Sequence, residues 1–360
     1  MKRIIASLML LLSGIGFSQT VENPSQVKIK TAKKLAKKFL RKHGIMGMSI
    51  SVSQQGELIW SKGFGFAQKK PRTKVKPDKT IFRIASISKS ITGLTLAKLA
   101  EEKIVDLDSS IYKYIPDYPK KEYDFTVRQL GGNLAGVRHY KDNIEYALNK
   151  KMTITDGLDL FKDDPLLFKP GTQYNYTTFG FVLLSEVMQQ ACKIPFGTYV
   201  NDSIFKPLKM GHSMMDISGV NIPNKTKFYR SSVLKKPVLA TPVSNEFKVG
   251  GGGFLSTSED LIKFGNEIIS PKIVSKESLS EIITSQRLTT GENTGYGIGF
   301  SVETSKNSTP KYYHTGGGIG ASTILLVYPK EELVITVLTN LTGVSMQDFG
   351  KELESVFIDQ

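Results

Sequence analysis

From Met46 to Gln68 the segment MGMSISVSQQGELIWSKGFGFAQ alternates apolar and polar residues, the period expected of two half-buried strands, with a turn at Gln54-Gln55-Gly56. The period then lengthens. In FRIASISKSITGLTLAKLAEEKIVDLD, residues 82–108, apolar side chains (Ile87, Ile91, Leu94, Leu96, Ala97, Leu99, Ala100) fall on several faces of a helix. A helix apolar nearly all round is a core helix. Residues 107–119 read as a loop, and from about 125 to 290 the pattern is mainly helices and long loops. TTFGFVLLSEVMQQA predicts a helix over 177–191, and STSEDLIKFGNEII another over 256–269 with Ser256 and Glu259 as a capping box. Strands return at 296–303, 310–316, 322–329 and 333–340, the last two as a hairpin around Lys330-Glu331-Glu332, before a closing helix near 345–357. Strands from both termini around a helical middle imply an α+β fold with one shared sheet. The expected division is an α/β lobe from about 27–85 and 290–360 and a helical lobe from about 86–289, with a cleft between them as the default site.

Charge adds detail at the N-terminal end. VKIKTAKKLAKKFLRKHG, residues 27–44, sets an apolar stripe (Leu35, Ala36, Phe39, Leu40) among Lys33, Lys34, Lys37, Lys38, Arg41 and Lys42. This reads as a helix docking its stripe and solvating its basic face; a weak attraction to an anionic envelope surface is the sharper expectation. Ahead of it, Lys2 and Arg3, the apolar run Ile4–Phe17 and the small residues at 16–18 predict a signal peptide over 1–18, leaving one exported (periplasmic or secreted) domain from Gln19. The formal net charge of +15 would fall by those two cations. No nucleic-acid-binding motif accompanies that charge, so nucleic acid is not an expected partner. Cys192 is the only cysteine, which excludes an intramolecular disulfide and reads as a small hydrophobe. His43, His139, His212 and His314 show no metal-ligand spacing, so neither a metal nor another cofactor is expected.

Candidate chemistry begins with Lys89, the only charged residue between Arg83 and Lys98. A lone Lys in a core helix is costly without a function or partners. Ser86 lies one turn away on the same face. An amine in apolar surroundings loses proton affinity and can act as a base toward a hydroxyl, while the helix N-terminus can favour an oxyanion. Spacing alone does not single this pair out: Ser-x-x-Lys also begins at Ser25, Ser110, Ser203, Ser232 and Ser308. Only the copy at Ser86 places its Lys in an uncharged helical run.

Two further stretches can converge on Ser86. In FKPGTQYNYTTFGFVLL, residues 168–184, Tyr176 precedes an apolar helix; beside a cationic Lys89 its phenolate would be favoured as a general base. In KYYHTGGGIGASTILLVYP, residues 311–329, His314-Thr315-Gly316 ends a strand, and Gly317 can offer an N–H to an oxyanion with that of Ser86. The glycine run at 250–253 lacks the Gly-Lys-Ser/Thr of a phosphate loop, and no Gly-x-Ser-x-Gly elbow is present.

Ser-x-x-Lys, then Tyr, then x-Thr-Gly, in that order, resembles the serine β-lactamase and penicillin-binding-protein superfamily, in the branch of class C β-lactamases, D-aminopeptidases and related esterases. The likeness runs from about residue 45 to 342 through GELIWSKGFGFA, TIFRIASISKSITGLTLAKL, VDLDSSIYKYIPDYP, PGTQYNYTTFGFVLLSEVM, IFKPLKM, GGGGFLSTSEDLIKFG and HTGGGIGASTILLVYP. VRQLGGNLAGVRHY (127–140), TTFGF and HTGGGIGAS look most like the mitochondrial lactamase-like serine proteases and their bacterial relatives. The resemblance implies a two-lobe transpeptidase-like fold with an antiparallel sheet. It makes Ser86 the acylated nucleophile, Lys89 and Tyr176 its bases, Ser86 and Gly317 the oxyanion hole, and Thr178, His314, Thr315 and Gly316 substrate contacts. Three departures stand out. Thr178 replaces the Asn of Tyr-x-Asn, His314 replaces the Lys of Lys-Thr-Gly, and Leu130–Gly136 reads LGGNLAG where relatives often read Leu-Leu-x-His-x-Ser-Gly.

The expected activity is an acyl-enzyme hydrolase cleaving esters or peptide and amide bonds of small-molecule or peptide substrates. The alternatives are a β-lactamase or D-alanyl-D-alanine carboxypeptidase, and an inactive penicillin-fold binding protein. An ordinary His314, titrating near pH 6.5, would offer substrates a hydrogen bond in place of a fixed charge and favour neutral esters over penicillins.

Overall fold

The computed structural model describes residues 24–234 and 236–358. The expected signal segment lies outside these described residues. Helix α1 (Pro24–His43) leads into strands β1 (Gly47–Gln54) and β2 (Glu57–Gln68), with a short β3 (Thr73–Lys74) at the edge. The core helix α2 spans Ser88–Glu101, and α3 spans Thr178–Cys192 in the helical middle. Helix α4 (Ser258–Ile269) precedes β4 (Ser301–Thr304), β5 (Pro310–Gly318), β6 (Ala321–Tyr328), β7 (Leu333–Thr339) and the closing α5 (Gln347–Phe357). The sheet order β3-β2-β1-β7-β6-β5-β4 joins strands from both ends of the chain, and every pairing in it is antiparallel.

Both faces of the sheet are covered, which is why its central strands read as nearly continuous apolar runs. Along β7, Leu333, Ile335 and Val337 join the core under α1 and α5, while Val334 and Leu338 join the larger core that contains α2 and α3. Along β6 the same alternation assigns Ile324, Leu326 and Tyr328 to one core and Leu325 and Val327 to the other. Each fully buried Leu or Ile contributes about 1.5–3 kcal/mol, and this reserve offsets the cost of the buried polar groups at the site.

Three details differ from the sequence pattern. The cap of α4 is Thr257, whose hydroxyl accepts from the Asp260 N–H, because Glu259 is drawn to the Ser61 hydroxyl instead. Helix α4, counted with the helical middle, packs on the sheet: a Cβ on Gly265 would lie 2.4 Å from Val334 Cγ1, and Thr336 donates to the Ser258 carbonyl. The alternation in YGIGF, 296–300, is not strand. Its small residues let the backbone cross α2, where a Cβ on Gly93 would lie 2.2 Å from the Ile298 carbonyl oxygen.

Candidate active site

Ser86 sits in a single 3₁₀ turn, Ala85–Ile87, that runs directly into α2. Of the residues from Thr80 to Ala97 only Ser86 is not buried, so the chain presents one hydroxyl from an otherwise closed core element. Ala85, just before it, holds φ at 47°, a left-handed conformation that costs a non-glycine residue about 1–2 kcal/mol. The neighbouring strand fixes this turn closely. A Cβ on Gly316 would lie 2.4 Å from the Ile84 carbonyl oxygen and 2.1 Å from Thr323 Oγ1, so β5 approaches the Ser86 turn at backbone distance only because Gly316 has no side chain.

Lys89 is fully buried, and its Nζ has three oxygen neighbours: Gly251 O at 2.5 Å, Thr178 Oγ1 at 3.2 Å and Ser86 Oγ at 3.3 Å. Burial, helped by the charge of Lys248, holds its pKa well below the ordinary amine value. A neutral amine has two N–H donors and one lone pair. As an ammonium Lys89 donates to all three oxygens; once neutral it can keep its two donors on the Gly251 carbonyl and Thr178 and turn the lone pair to the Ser86 hydroxyl. The Gly250-Gly251 backbone reaches Lys89 because it is pressed on α3: a Cβ on Gly250 would lie 2.0 Å from Ser185 Oγ.

Tyr176 lies two residues before α3 and interacts with Ser86, with the Lys89 Nζ 4.9 Å from its ring centroid. Burial raises its pKa far above the usual phenol value. This overturns the phenolate expected from the sequence: that argument required a cationic Lys89, and the buried amine sheds its proton first. Tyr176 keeps its proton and can donate or relay it.

The start of α3 is pinned by residues 133–139. The Thr177 N–H donates to Asn133 Oδ1 (3.1 Å), the Thr177 hydroxyl to the Arg138 carbonyl (2.6 Å), and the Thr178 N–H to His139 Nδ1 (3.0 Å). Asn133, where relatives often have His, holds φ at 61°, a region Asn tolerates better than most residues. The departure at Leu130–Gly136 therefore has a local function. His139 was not singled out on sequence. Its Nδ1 accepts a hydrogen bond and burial lowers its pKa to about 4, so the neutral ring carries its proton on Nε2 at the cleft wall.

His314 departs from expectation. It is buried; its Nδ1–H donates to the Thr315 carbonyl (2.6 Å) and its Nε2 accepts from the Tyr296 hydroxyl (3.1 Å). Burial lowers its pKa to about 3. It is neutral, as expected, but it does not titrate near 6.5 and has no spare N–H for a substrate. Thr178 lines the cleft with its Oγ1 accepting from Lys89. Thr315 and Gly317 line the same cleft of about 440 Å³ as Ser86 and Tyr176, and a Cβ on Gly317 would meet only open space. Cys192 is half-buried, with burial raising its pKa, so it is a thiol away from this cleft. Among the described residues no cluster of His, Cys, Asp and Glu fits a metal ion.

A serine presented by a 3₁₀ turn, a buried amine beneath it, a protonated tyrosine beside it and a Thr-Gly strand across the cleft define a protein of the serine β-lactamase and penicillin-binding-protein class. The chain belongs to the Beta-lactamase family, which matches it over residues 32–353. It is 30% identical to the human serine beta-lactamase-like protein LACTB, mitochondrial, over 91% of this chain and 79% of the relative. It is 26% identical to protein flp of Staphylococcus aureus over 89% of this chain and 64% of that protein. Among solved structures it superposes on the octameric penicillin-binding protein homologue from Pyrococcus abyssi with a TM-score of 0.78, at 23% identity over 91% of this chain and 78% of the other. The hydrolase EstCE1 gives the same TM-score of 0.78 at 18% identity, covering 92% and 99% of the two chains.

Proposed function

We propose that the protein is an exported serine hydrolase that cleaves esters or amides through an acyl-enzyme on Ser86. The observation that carries this reading is the fully buried Lys89 amine, its Nζ 3.3 Å from Ser86 Oγ and held by the Gly251 carbonyl and Thr178 Oγ1. Ser86 Oγ attacks the substrate carbonyl as its proton passes to Lys89. The oxyanion is received by the N–H groups of Ser86 and Gly317. The bond to the leaving atom breaks as that atom takes a proton from Tyr176, which Lys89 replenishes. Water then repeats the sequence on the acyl-enzyme.

Esters and amides with neutral leaving groups are preferred to penicillins, whose leaving side carries a carboxylate, because His314 offers neither a charge nor a free N–H. A fluorophosphonate probe tests the nucleophile: one adduct is expected, mapped to Ser86 and absent from Ser86→Ala. An adduct at Ser232 or any other serine would sink the assignment, and nitrocefin turned over as well as 4-nitrophenyl acetate would make the protein a β-lactamase. Export is tested by N-terminal sequencing of protein from native cells, with a start near Gln19 expected and an intact Met1 start counting against it.

A further inference from the structure

We propose that Lys248 forms an anion-binding subsite for the acyl part of the substrate, so that the preferred substrates carry a carboxylate or similar anion on the acyl side of the scissile bond. The inference rests on the serine-hydrolase reading and assigns its substrate class. Lys248 caps the short helical turn Val249–Gly252, whose Gly251 carbonyl holds Lys89. It lines the cleft that contains Ser86, together with Arg83, Tyr140, Tyr146 and Asn245.

Its charge feels Asp216 at a distance, against Arg83, but has no direct ionic partner. Lys248 is only 6% exposed, and its Nζ makes one hydrogen bond, to the Tyr146 carbonyl at 2.9 Å. Among the described residues no carboxylate pairs with it. The nearby acid, Asp216, is already occupied by Arg83 Nε (2.6 Å), Asn245 Nδ2 (2.8 Å) and Lys225 Nζ (3.5 Å). The rings of Tyr140, Tyr146 and Phe247, centred 5.5–5.8 Å from the Nζ, soften the burial of the ammonium without neutralising it. A buried ammonium in a reactive cleft with two N–H groups to spare is a site for an anion. Burial lowers its pKa only to about 8, so the charge is present at neutral pH.

The Tyr176 ring lies 5.9 Å from His139, which leads on to Tyr140, and 6.0 Å from His314 and 6.2 Å from Tyr296, so a substrate bound at Ser86 can extend both ways from the proton donor. In the proposed binding mode the leaving group takes the side of His314 and Tyr296, which carries no charge, and the acyl part the side of Tyr140 and Tyr146, where Lys248 lies. The cation that Lys-Thr-Gly relatives place on the strand is thus found on another wall.

The test compares mono-4-nitrophenyl glutarate, anionic on the acyl side, with 4-nitrophenyl valerate, its neutral counterpart, and with 3-carboxyphenyl acetate, anionic on the leaving side. The expected kcat/KM order puts the glutarate ester at least tenfold above valerate, with 3-carboxyphenyl acetate gaining nothing over phenyl acetate. Because Lys248 also helps keep Lys89 unprotonated, its loss slows every substrate, so the readout is the glutarate-to-valerate ratio. Lys248→Met should lower that ratio about tenfold, and Lys248→Arg should retain most of it. Calorimetric binding of the glutarate ester to Ser86→Ala, tighter than that of valerate and lost in the Ser86→Ala/Lys248→Met double variant, reads the subsite without turnover. A ratio near one, or a ratio unmoved in Lys248→Met, overturns the subsite while leaving the hydrolase reading intact. No hydrolysis of any ester, with selective glutarate binding retained, overturns the hydrolase reading and leaves the subsite.

Discussion

Two walls of one cleft carry polar side chains that look equally chemical on sequence, and the structure uses them in opposite ways. On the wall of α2 and α3, the Lys89 amine, with a lone pair once neutral, and the protonated Tyr176 both stand beside Ser86. On the β5 wall, His314 has both ring nitrogens committed, to Thr315 and to Tyr296. A group can exchange protons with a substrate only if it has an uncommitted lone pair or N–H facing it. The difference lies in hydrogen-bond valence, since burial is common to Lys89 and His314.

The strongest test of this contrast is on the α2–α3 wall. Lys89→Ala and Tyr176→Phe should each lower kcat/KM by about 10³–10⁴-fold, and the double variant by scarcely more, because the two groups move one proton between them. Losses that multiply in the double variant would show that they act independently and break the comparison at its reactive side.

The sequence made that side legible to an uneven degree. Ser86 and Lys89 stood out because one charge interrupts a helix that is otherwise core. The sheet was legible from alternation near the N-terminus and from short apolar, β-branched runs near the C-terminus. The protonation states were not, because they depend on which group loses its proton first once Lys89, Tyr176 and Gly251 are brought together from distant parts of the chain. Lys248 and His139 carried no local signal: one sits beside a glycine run that reads as a loop, the other among ordinary polar residues. The role of that run, bringing a carbonyl to Lys89, is visible only where Gly250 meets Ser185. The false strand at 296–300 shares this cause, since alternating glycines serve close backbone crossing as well as pleating.

A pH series separates the walls at intermediate magnitude. Because Lys89 works unprotonated with a lowered pKa, kcat/KM should rise tenfold per pH unit along a single acid limb and level off below the ordinary amine range. No second step is expected near 6.5. His314 should appear in stability instead. Its folded pKa of about 3 lies below the unfolded value near 6.5, so the unfolded chain binds more protons between them and stability falls as the pH drops through that window. Taken over the whole window the loss is on the order of 4–5 kcal/mol, and His314→Gln should flatten that slope in urea melts. A histidine step near 6.5 in kcat/KM, removed by His314→Gln, would put the β5 wall into the chemistry.

The smallest expected effect comes from Tyr296→Phe, and it sharpens the contrast most. The Tyr296 hydroxyl donates to His314 Nε2 at 3.1 Å, while the opposite nitrogen holds the Thr315 carbonyl. Losing the hydroxyl leaves one buried acceptor unsatisfied, a cost of about 1–3 kcal/mol. The freed lone pair should also bind a proton more readily, raising the His314 pKa and shortening the window over which stability falls with pH. Among the described residues Lys89 bonds to Gly251, Thr178 and Ser86 and not to Tyr296, so the base keeps its partners. Stability by urea titration should fall measurably, while fluorophosphonate labelling of Ser86 slows by less than about tenfold, far from the 10³–10⁴-fold of a lost proton-transfer group. Labelling slowed a thousandfold with stability intact would mean that the Tyr296–His314 pair conducts protons to the site, and the two walls would then differ in reach and not in kind.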